Sequence, residues 1–585
     1  MVSILLLLLS LFSFEYPPKP DFRTPYEKSN RTRTTTYAEC IAYYQRLDEA
    51  FPEVQVRAYG STDAGLPLHV VVVSLDRDFD PASLRRKSKR IFLIQNGIHP
   101  GEPEGIDASM MLARDYLQQK KLRPLLEKTV LVIIPIYNVG GALTRNSFSR
   151  TNQNGPESYG FRGNARNLDL NRDYLKNDSR NARTFAQIFH EWQPDVFTDN
   201  HTSNGADYQH TMTLIATQPN KLNRHLSAYL TQQMLPALYA GMKERKLEMV
   251  PYMNTRGETP EAGIEGFLET PRYSTGYTTL FNTIGFVPET HMLKPFPDRV
   301  RATYALMEVM LRTIHRDADK IGEARARAVQ DVQQQQDFPL TWRLDTTQVE
   351  QIRFSGYEAR YKPSEVSGLP RLYYDRKAPY TRSIPYYNTF RPAVTVRKPV
   401  AYVIPQAWQE VIGLLELNQV RLHRLAQDTT LTAEAYYIDD FKTVPSPYEG
   451  HYLHYGVQLR RQQQQLPFRA GDYVVYVDQP TNRYIVETLE PQAVDSFFNW
   501  GFFDSILQQK EYFSAYVFED LAAELLRQDP ALRAKLEDQK QQDQKFAQNP
   551  QAQLDFVYRN SPYYEPSHRR YPVVRLNEAV KLPVR

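Results

Sequence analysis

Short apolar, β-branched runs recur through the first half of the chain, at residues 68–75 (LHVVVVSL), 91–95 (IFLIQ) and 130–136 (VLVIIPI). Each ends near polar or Gly residues, as buried strands do. Between the last two, residues 105–120 place Ile106, Met110, Ala113 and Leu117 on one helical face. An earlier helix is predicted over 37–50, where Cys40, Ile41, Tyr44 and Leu47 recur at helical spacing. The alternation continues with a helix at 179–191, a strand at 195–199, a helix at 222–246, a strand at 285–289 and a helix at 297–318. Strands alternating with helices predict an α/β layer with a mainly parallel sheet.

Residues 323–337 (EARARAVQDVQQQQD) are polar along their whole length, which reads as a helix end running into a linker. The expected organisation is therefore one α/β unit over 37–322, a linker at 323–340, and a second α/β or β-rich region over 341–585. In that second region, strands are expected at 400–404, 433–438, 452–459 and 472–477, helices at 407–417 and 494–508, and a solvated helix or tail at 529–551. At the other end, residues 2–14 (VSILLLLLSLFSF) are too short for the roughly 20 residues of a spanning helix and suit a signal-peptide core. Residues 1–16 are read as a signal peptide, with an uncleaved anchor as the alternative, and the protein as secreted or periplasmic.

Charge does not choose the partner. The 71 Lys and Arg nearly balance 67 Asp and Glu, leaving +4 over 585 residues, too little to predict a nucleic-acid footprint or general membrane adhesion, and no nucleic-acid partner is expected. The single cysteine, Cys40, cannot form an intramolecular disulfide and excludes thiolate-built zinc sites. Any metal must be held by histidines and carboxylates.

Candidate chemistry gathers at predicted strand ends, where open α/β sheets collect functional groups. In RIFLIQNGIHPGEPEG, a strand runs into a turn holding His99 and Glu102, two metal-ligand types three residues apart. The strand PDVFTDNH ends on His201, which offers a third ligand and leaves a fourth position for water, as catalytic zinc sites do. Asp199 or Asn200 could support the imidazoles. GFVPETH ends a strand with Glu289, the candidate general base, and His291; Glu269 in GFLETPR stands equally near an apolar run. FRGNARNLDLNRDY carries Arg162, Arg166 and Arg172, whose guanidinium forks match carboxylates.

Taken in order, HPGE, RGNARNLDLNRDY, DNH and PETH resemble the zinc metallocarboxypeptidase family typified by carboxypeptidase A, over roughly residues 37–319. The resemblance implies a mixed eight-stranded sheet between helices, one Zn2+ per chain on His99, Glu102 and His201, and Glu289 as the catalytic carboxylate. It further implies that Asn171 and Arg172 hold a free terminal carboxylate of a peptide or peptide-like substrate, and that Arg162 stabilises the oxyanion. Tyr273 and Tyr277 are candidates for the family's substrate-capping tyrosine, and Arg272 for a further substrate contact. Asn167 stands where the family usually has glycine. A zinc amide hydrolase of another kind, such as a cell-wall peptide amidase or an N-deacylase, would use the same zinc and glutamate. An inactive peptide- or glycan-binding protein is the reading from a different class.

Overall fold

The computed structural model describes residues 21–585; the signal-peptide assignment at 1–16 lies outside the described residues. Its central sheet has nine strands: β1 (Val54–Ser61), β2 (Pro67–Val73), β3 (Arg90–Gln95), β4 (Thr129–Ile134), β5 (Val196–Asp199), β6 (His201–Ser203), β7 (Met212–Ala216), β8 (Val250–Pro251) and β10 (Ile284–His291). The short β9 (Ile264–Glu265) belongs to a different sheet. The spatial order is β1-β2-β4-β3-β5-β10-β7-β8, with β6 also on β10. Parallel pairing joins β4 to β3, β3 to β5, β10 to β5 and β6, and β7 to β8; β1–β2, β2–β4 and β10–β7 are antiparallel. The sheet is thus mixed and mostly parallel, and its extra strand is the three-residue β6.

Alternation along the strands builds two cores, because successive side chains point to opposite faces. Val71, Val73, Phe92 and Ile94 pack with helices Glu104–Gln118 and Phe296–Arg316 on one face, through residues such as Met110 and Leu306. Val70, Val72, Ile91 and Leu93 pack against Phe185, Ile188 and Phe189 of helix Arg180–Trp192 on the other. At about 25 cal/mol per Å² of apolar surface removed from water, these layers hold the strand ends in register. Gln95 at the end of β3 pairs with Asp199 at the end of β5, and Glu289 in β10 pairs with His201.

Three local expectations are corrected. Folded structure begins before residue 37: Phe22 and Tyr26 are buried, and a capping box of Thr24 and Glu27 starts the turn Pro25–Lys28. The stretch read as a linker is helical to Gln334 within Ala318–Gln334 and enters a strand, Asp337–Leu344. Ile321, Ala328 and Val332, spaced on one helical face, are buried there, enough to dock an otherwise polar helix. Residues 494–508 form turns and one short 3-10 segment, Asp504–Leu507, instead of a helix. Phe497, Phe498, Trp500 and Phe503 are all buried, so packing around the whole segment replaces a single helical face.

Beyond residue 337, strands at Ala401–Ile404, Thr429–Thr443, His454–Phe468 and Tyr473–Tyr476 fall in one six-stranded sheet. A long hairpin, Glu350–Pro363 with Pro370–Tyr387, adds β9 as its third strand. Leu175 and Leu280 lie in one apolar cluster with Tyr484 and Trp500, so the two parts of the chain share a core. Among the described residues, no helix is long and apolar enough to cross a membrane.

Candidate active site

The loop after β3 makes a tight turn in which the Glu102 N–H donates to the His99 carbonyl at 2.8 Å, just ahead of helix Glu104–Gln118. A side chain at Gly105 would meet Asn96 Oδ1 at 2.4 Å and Asn200 Cβ at 2.6 Å. Glycine there lets the helix start close against the end of β5. His201 opens β6, and one ligand atom from each of His99, Glu102 and His201 lies within 4.8 Å of the others, all three residues buried.

The nitrogens are sorted. His99 Nδ1 lies 3.4 Å from Glu102 Oε1, and His201 Nδ1 3.1 Å from Glu102 Oε2. The other nitrogens face carboxylates: His99 Nε2 is 2.8 Å from Asp169 Oδ1, and His201 Nε2 is 3.0 Å from Asp199 Oδ2. The hydrogen bond between His99 and Asp169 fixes that imidazole, and the Asp199 carboxylate faces His201 Nε2 without a hydrogen bond, so the inner nitrogens point at Glu102. The donor set, two imidazoles and a carboxylate, with His99 oriented from outside by Asp169, fits a zinc ion.

Glu102 is tied down further. Arg150 Nη1 donates to its Oε1 at 2.8 Å, Arg150 Nη2 donates to the Thr202 carbonyl at 2.9 Å, and the Thr202 N–H donates to Glu102 Oε2 at 2.8 Å. Burial works against the Glu102 charge, but Arg150 and the two imidazoles hold its pKa well below the usual carboxylate range. Burial also opposes a charged His201, yet Asp199, Glu102 and Glu289 together raise its pKa well above the usual imidazole value. Protons and a metal ion therefore compete for His201.

Glu289 opens onto the same cavity, about 240 Å³, as the three cluster residues, Arg162, Asn171, Arg172, Glu269 and Tyr273. Burial pushes its carboxyl up to about 8, against the opposing pull of His201; the Glu102 charge adds to the rise, and Arg150 and Arg162 oppose it. Glu269, the competing candidate, accepts from the Thr275 N–H at 2.9 Å and from the Thr275 hydroxyl, and burial raises its pKa too. Only Glu289 is paired in register with a residue of the cluster, His201.

Residues 40–250 match the zinc carboxypeptidase family model. This segment is a zinc carboxypeptidase domain. The chain is 23% identical over 433 residues to "Carboxypeptidase 2" of Trichophyton rubrum, covering 70% of this chain and 73% of that protein. The same figures hold for "Carboxypeptidase 2" of Trichophyton equinum. Among solved structures, a metallo-carboxypeptidase from Pseudomonas aeruginosa is 15% identical with a TM-score of 0.37, covering 49% of this chain and 70% of that one. Carboxypeptidase A from Helicoverpa armigera is 15% identical with a TM-score of 0.36, covering 51% and 75%. The match over residues 40–250 and the named relatives support a metallocarboxypeptidase, a hydrolase of peptide bonds.

In the carboxypeptidase domain, Arg162 Nε and Nη2 donate to Asp169 Oδ2 at 3.0 and 2.8 Å, and Nη1 stands 3.3 Å from His99 Nδ1. Asp169 thus orients an imidazole with one oxygen and a guanidinium with the other. Sequence reasoning gave neither Asp169 nor Arg150 a role. Asn171 and Arg172 sit on the one-turn 3-10 segment Leu170–Arg172, with Asp169 capping it through the Asn171 N–H at 2.9 Å. Arg172 lies over the Tyr273 ring at 4.4 Å, a cation–π contact. Asn167 has φ +60°, a left-handed conformation that asparagine tolerates better than most residues, which explains how it replaces glycine.

Two expected substrate contacts are corrected. Tyr277 is fully buried, and its hydroxyl donates to Asn418 Oδ1 at 2.6 Å and lies 3.1 Å from His190 Nε2. Arg272 is held by Asp495, through its backbone N–H at 2.9 Å, Nε at 2.7 Å and Nη2 at 2.6 Å. Neither lines the cavity; Tyr273 does. Arg166 turns away to donate to the Asp178 carbonyl at 2.8 Å, and His291 Nε2 lies 2.9 Å from the Ala206 carbonyl.

Proposed function

We propose that this chain trims residues from the carboxyl ends of peptides, with His99, Glu102 and His201 holding one zinc ion and Glu289 moving the proton. The observation that carries the reading is the pairing of Glu289 with His201, which sets a half-buried carboxylate that makes no side-chain hydrogen bond among the described residues beside a three-ligand cluster. When bound there, zinc supplies a Lewis acid for the scissile carbonyl and lowers the pKa of its water. Glu289 accepts a proton from the attacking water and delivers it to the departing amine. Arg162, locked by Asp169 and 46% exposed at its side chain, presents positive charge where the oxyanion develops, a contribution of about 3 kcal/mol for a donor of this kind. Arg172 and Asn171 bind the substrate's terminal carboxylate, the guanidinium because its fork is matched to it.

Residues 21–334 form the catalytic unit in this reading and 337–585 an accessory region. The apolar run at 2–14 supports secretion or a periplasmic location. Glu289→Gln tests the reading: zinc content stays at the wild-type level while turnover falls by at least about a thousandfold, in keeping with the loss of a general base. Undiminished hydrolysis in that variant would move the base to Glu269. Zinc-dependent cleavage of an internal amide or an N-acyl group, with no C-terminal trimming, would favour an amidase or deacylase.

A further inference from the structure

The 3-10 segment that carries Asn171 and Arg172 is gripped from outside the catalytic unit. The antiparallel strands Thr429–Thr443 and His454–Phe468 are joined by a loop whose end is a small hairpin. Tyr448 and His451 exchange N–H···O bonds of 2.7 and 3.1 Å around Glu449 and Gly450, which have φ of +50° and +86°. Positive φ at both turn residues is the type I′ geometry that fits the twist of paired strands.

This tip reaches the carboxylate clamp. The Tyr448 hydroxyl accepts from Arg172 Nε at 3.0 Å, and Glu449 Oε2 accepts from the Asp169 N–H at 2.8 Å. His451 Nε2 lies 2.7 Å from Asp178 Oδ2. The Tyr448 ring is fixed by groups other than Arg172: it stacks near Trp500, with centroids 6.2 Å apart at 17°, and the Arg272 guanidinium lies 5.5 Å from it. Asp495 in turn holds Arg272. Arg172 therefore has Nε on Tyr448, Nη1 on the Asn171 carbonyl at 2.8 Å and its face on Tyr273. Among the described residues Nη2 makes no hydrogen bond, which leaves it for a ligand.

We propose that Tyr448 is a positioning residue that fixes the guanidinium plane of Arg172, so that the accessory region sets affinity for the substrate's terminal carboxylate. The proposal rests on the reading of Arg172 as the carboxylate clamp. A guanidinium free to rotate about its last bonds loses its preorganised fork, and binding then has to restore it at the expense of affinity.

Steady-state kinetics on a blocked dipeptide with a free carboxyl end provide the test. Tyr448→Phe keeps the ring and its stacking and removes only the hydroxyl. KM is expected to rise about 10- to 100-fold, as for loss of one hydrogen bond to a charged group, with kcat within twofold and an unchanged melting temperature. Tyr452→Phe, an exposed tyrosine in the same loop, serves as the control and leaves KM as it was. Arg172→Met raises KM more strongly, and adding Tyr448→Phe to it has no further effect. A normal KM in Tyr448→Phe beside a raised KM in Arg172→Met overturns the positioning role alone. A normal KM in Arg172→Met overturns the clamp itself. A loss confined to kcat, or one that persists in the Arg172→Met background, assigns Tyr448 a general structural role and also overturns the proposal.

Discussion

Asp169 stands between two parts of the proposed machinery, and Asp169→Asn separates what its charge does from what its shape does. The amide keeps one oxygen, which still accepts from His99 Nε2, where the carboxylate now sits at 2.8 Å. Its other terminal atom becomes an NH2 facing Arg162 Nε and Nη2, which today donate to Asp169 Oδ2 at 3.0 and 2.8 Å. Donor then meets donor and the guanidinium must leave. The imidazole, no longer polarised by an anion, ligates metal more weakly; loss of such a supporting carboxylate lowers metal affinity about 10- to 100-fold, or about 1.4–2.7 kcal/mol. Displacing Arg162 removes up to about 3 kcal/mol of oxyanion stabilisation, so activity at saturating zinc falls by about two orders of magnitude as well. Competition with a chromophoric chelator measures the first effect, and kcat/KM with excess zinc the second. Wild-type zinc affinity in Asp169→Asn would refute the support of His99. Wild-type kcat/KM at saturating zinc would refute the role given to Arg162.

Two further outcomes follow from groups placed away from the cavity. Burial pushes His190 down from 6.5 to about 4, so the unfolded chain takes up this proton first as pH falls. The stability this group allows is complete above its unfolded pKa near 6.5 and is lost as pH drops toward 4, by about 3 kcal/mol; urea unfolding at pH 7 and pH 4.5 should show that loss reduced in His190→Gln, and an unaltered difference would assign it to other groups. Tyr277→Phe removes the hydroxyl bonded to Asn418 and should cost about 1 kcal/mol of stability with KM unchanged, whereas a raised KM with unchanged stability would return Tyr277 to the substrate site.

The ligand cluster was legible in the sequence because the chemistry sits where local patterns change. His99, His201 and Glu289 each follow an apolar run, and the buried strands of a parallel sheet make such runs conspicuous. Asp169 and Arg150 carry no such mark: Arg150 reaches Glu102 from a loop 48 residues away, and only the folded chain brings them to 2.8 Å. Tyr277 shows the opposite failure. A tyrosine near a site motif looks the same in sequence whether it lines a cavity or, as here, fills the core beside Phe185 and Phe189. The helix through residue 334 was hidden because four buried apolar side chains, Ala318, Ile321, Ala328 and Val332, dock it, too few to break a polar pattern. Nothing local in PSPYEGH points to the clamp some 276 residues earlier in the chain that Tyr448 meets.

The central claim is that the His99, Glu102 and His201 cluster holds zinc for hydrolysis at a peptide's carboxyl end. Metal content and the products from a peptide library, followed by mass spectrometry on one purified sample of wild type and of His99→Ala, test it directly. Bound zinc at about one per chain with stepwise C-terminal trimming in wild type, both lost in His99→Ala, is the predicted result. Trimming that survives in His99→Ala, or a wild-type protein that trims without zinc, would contradict it.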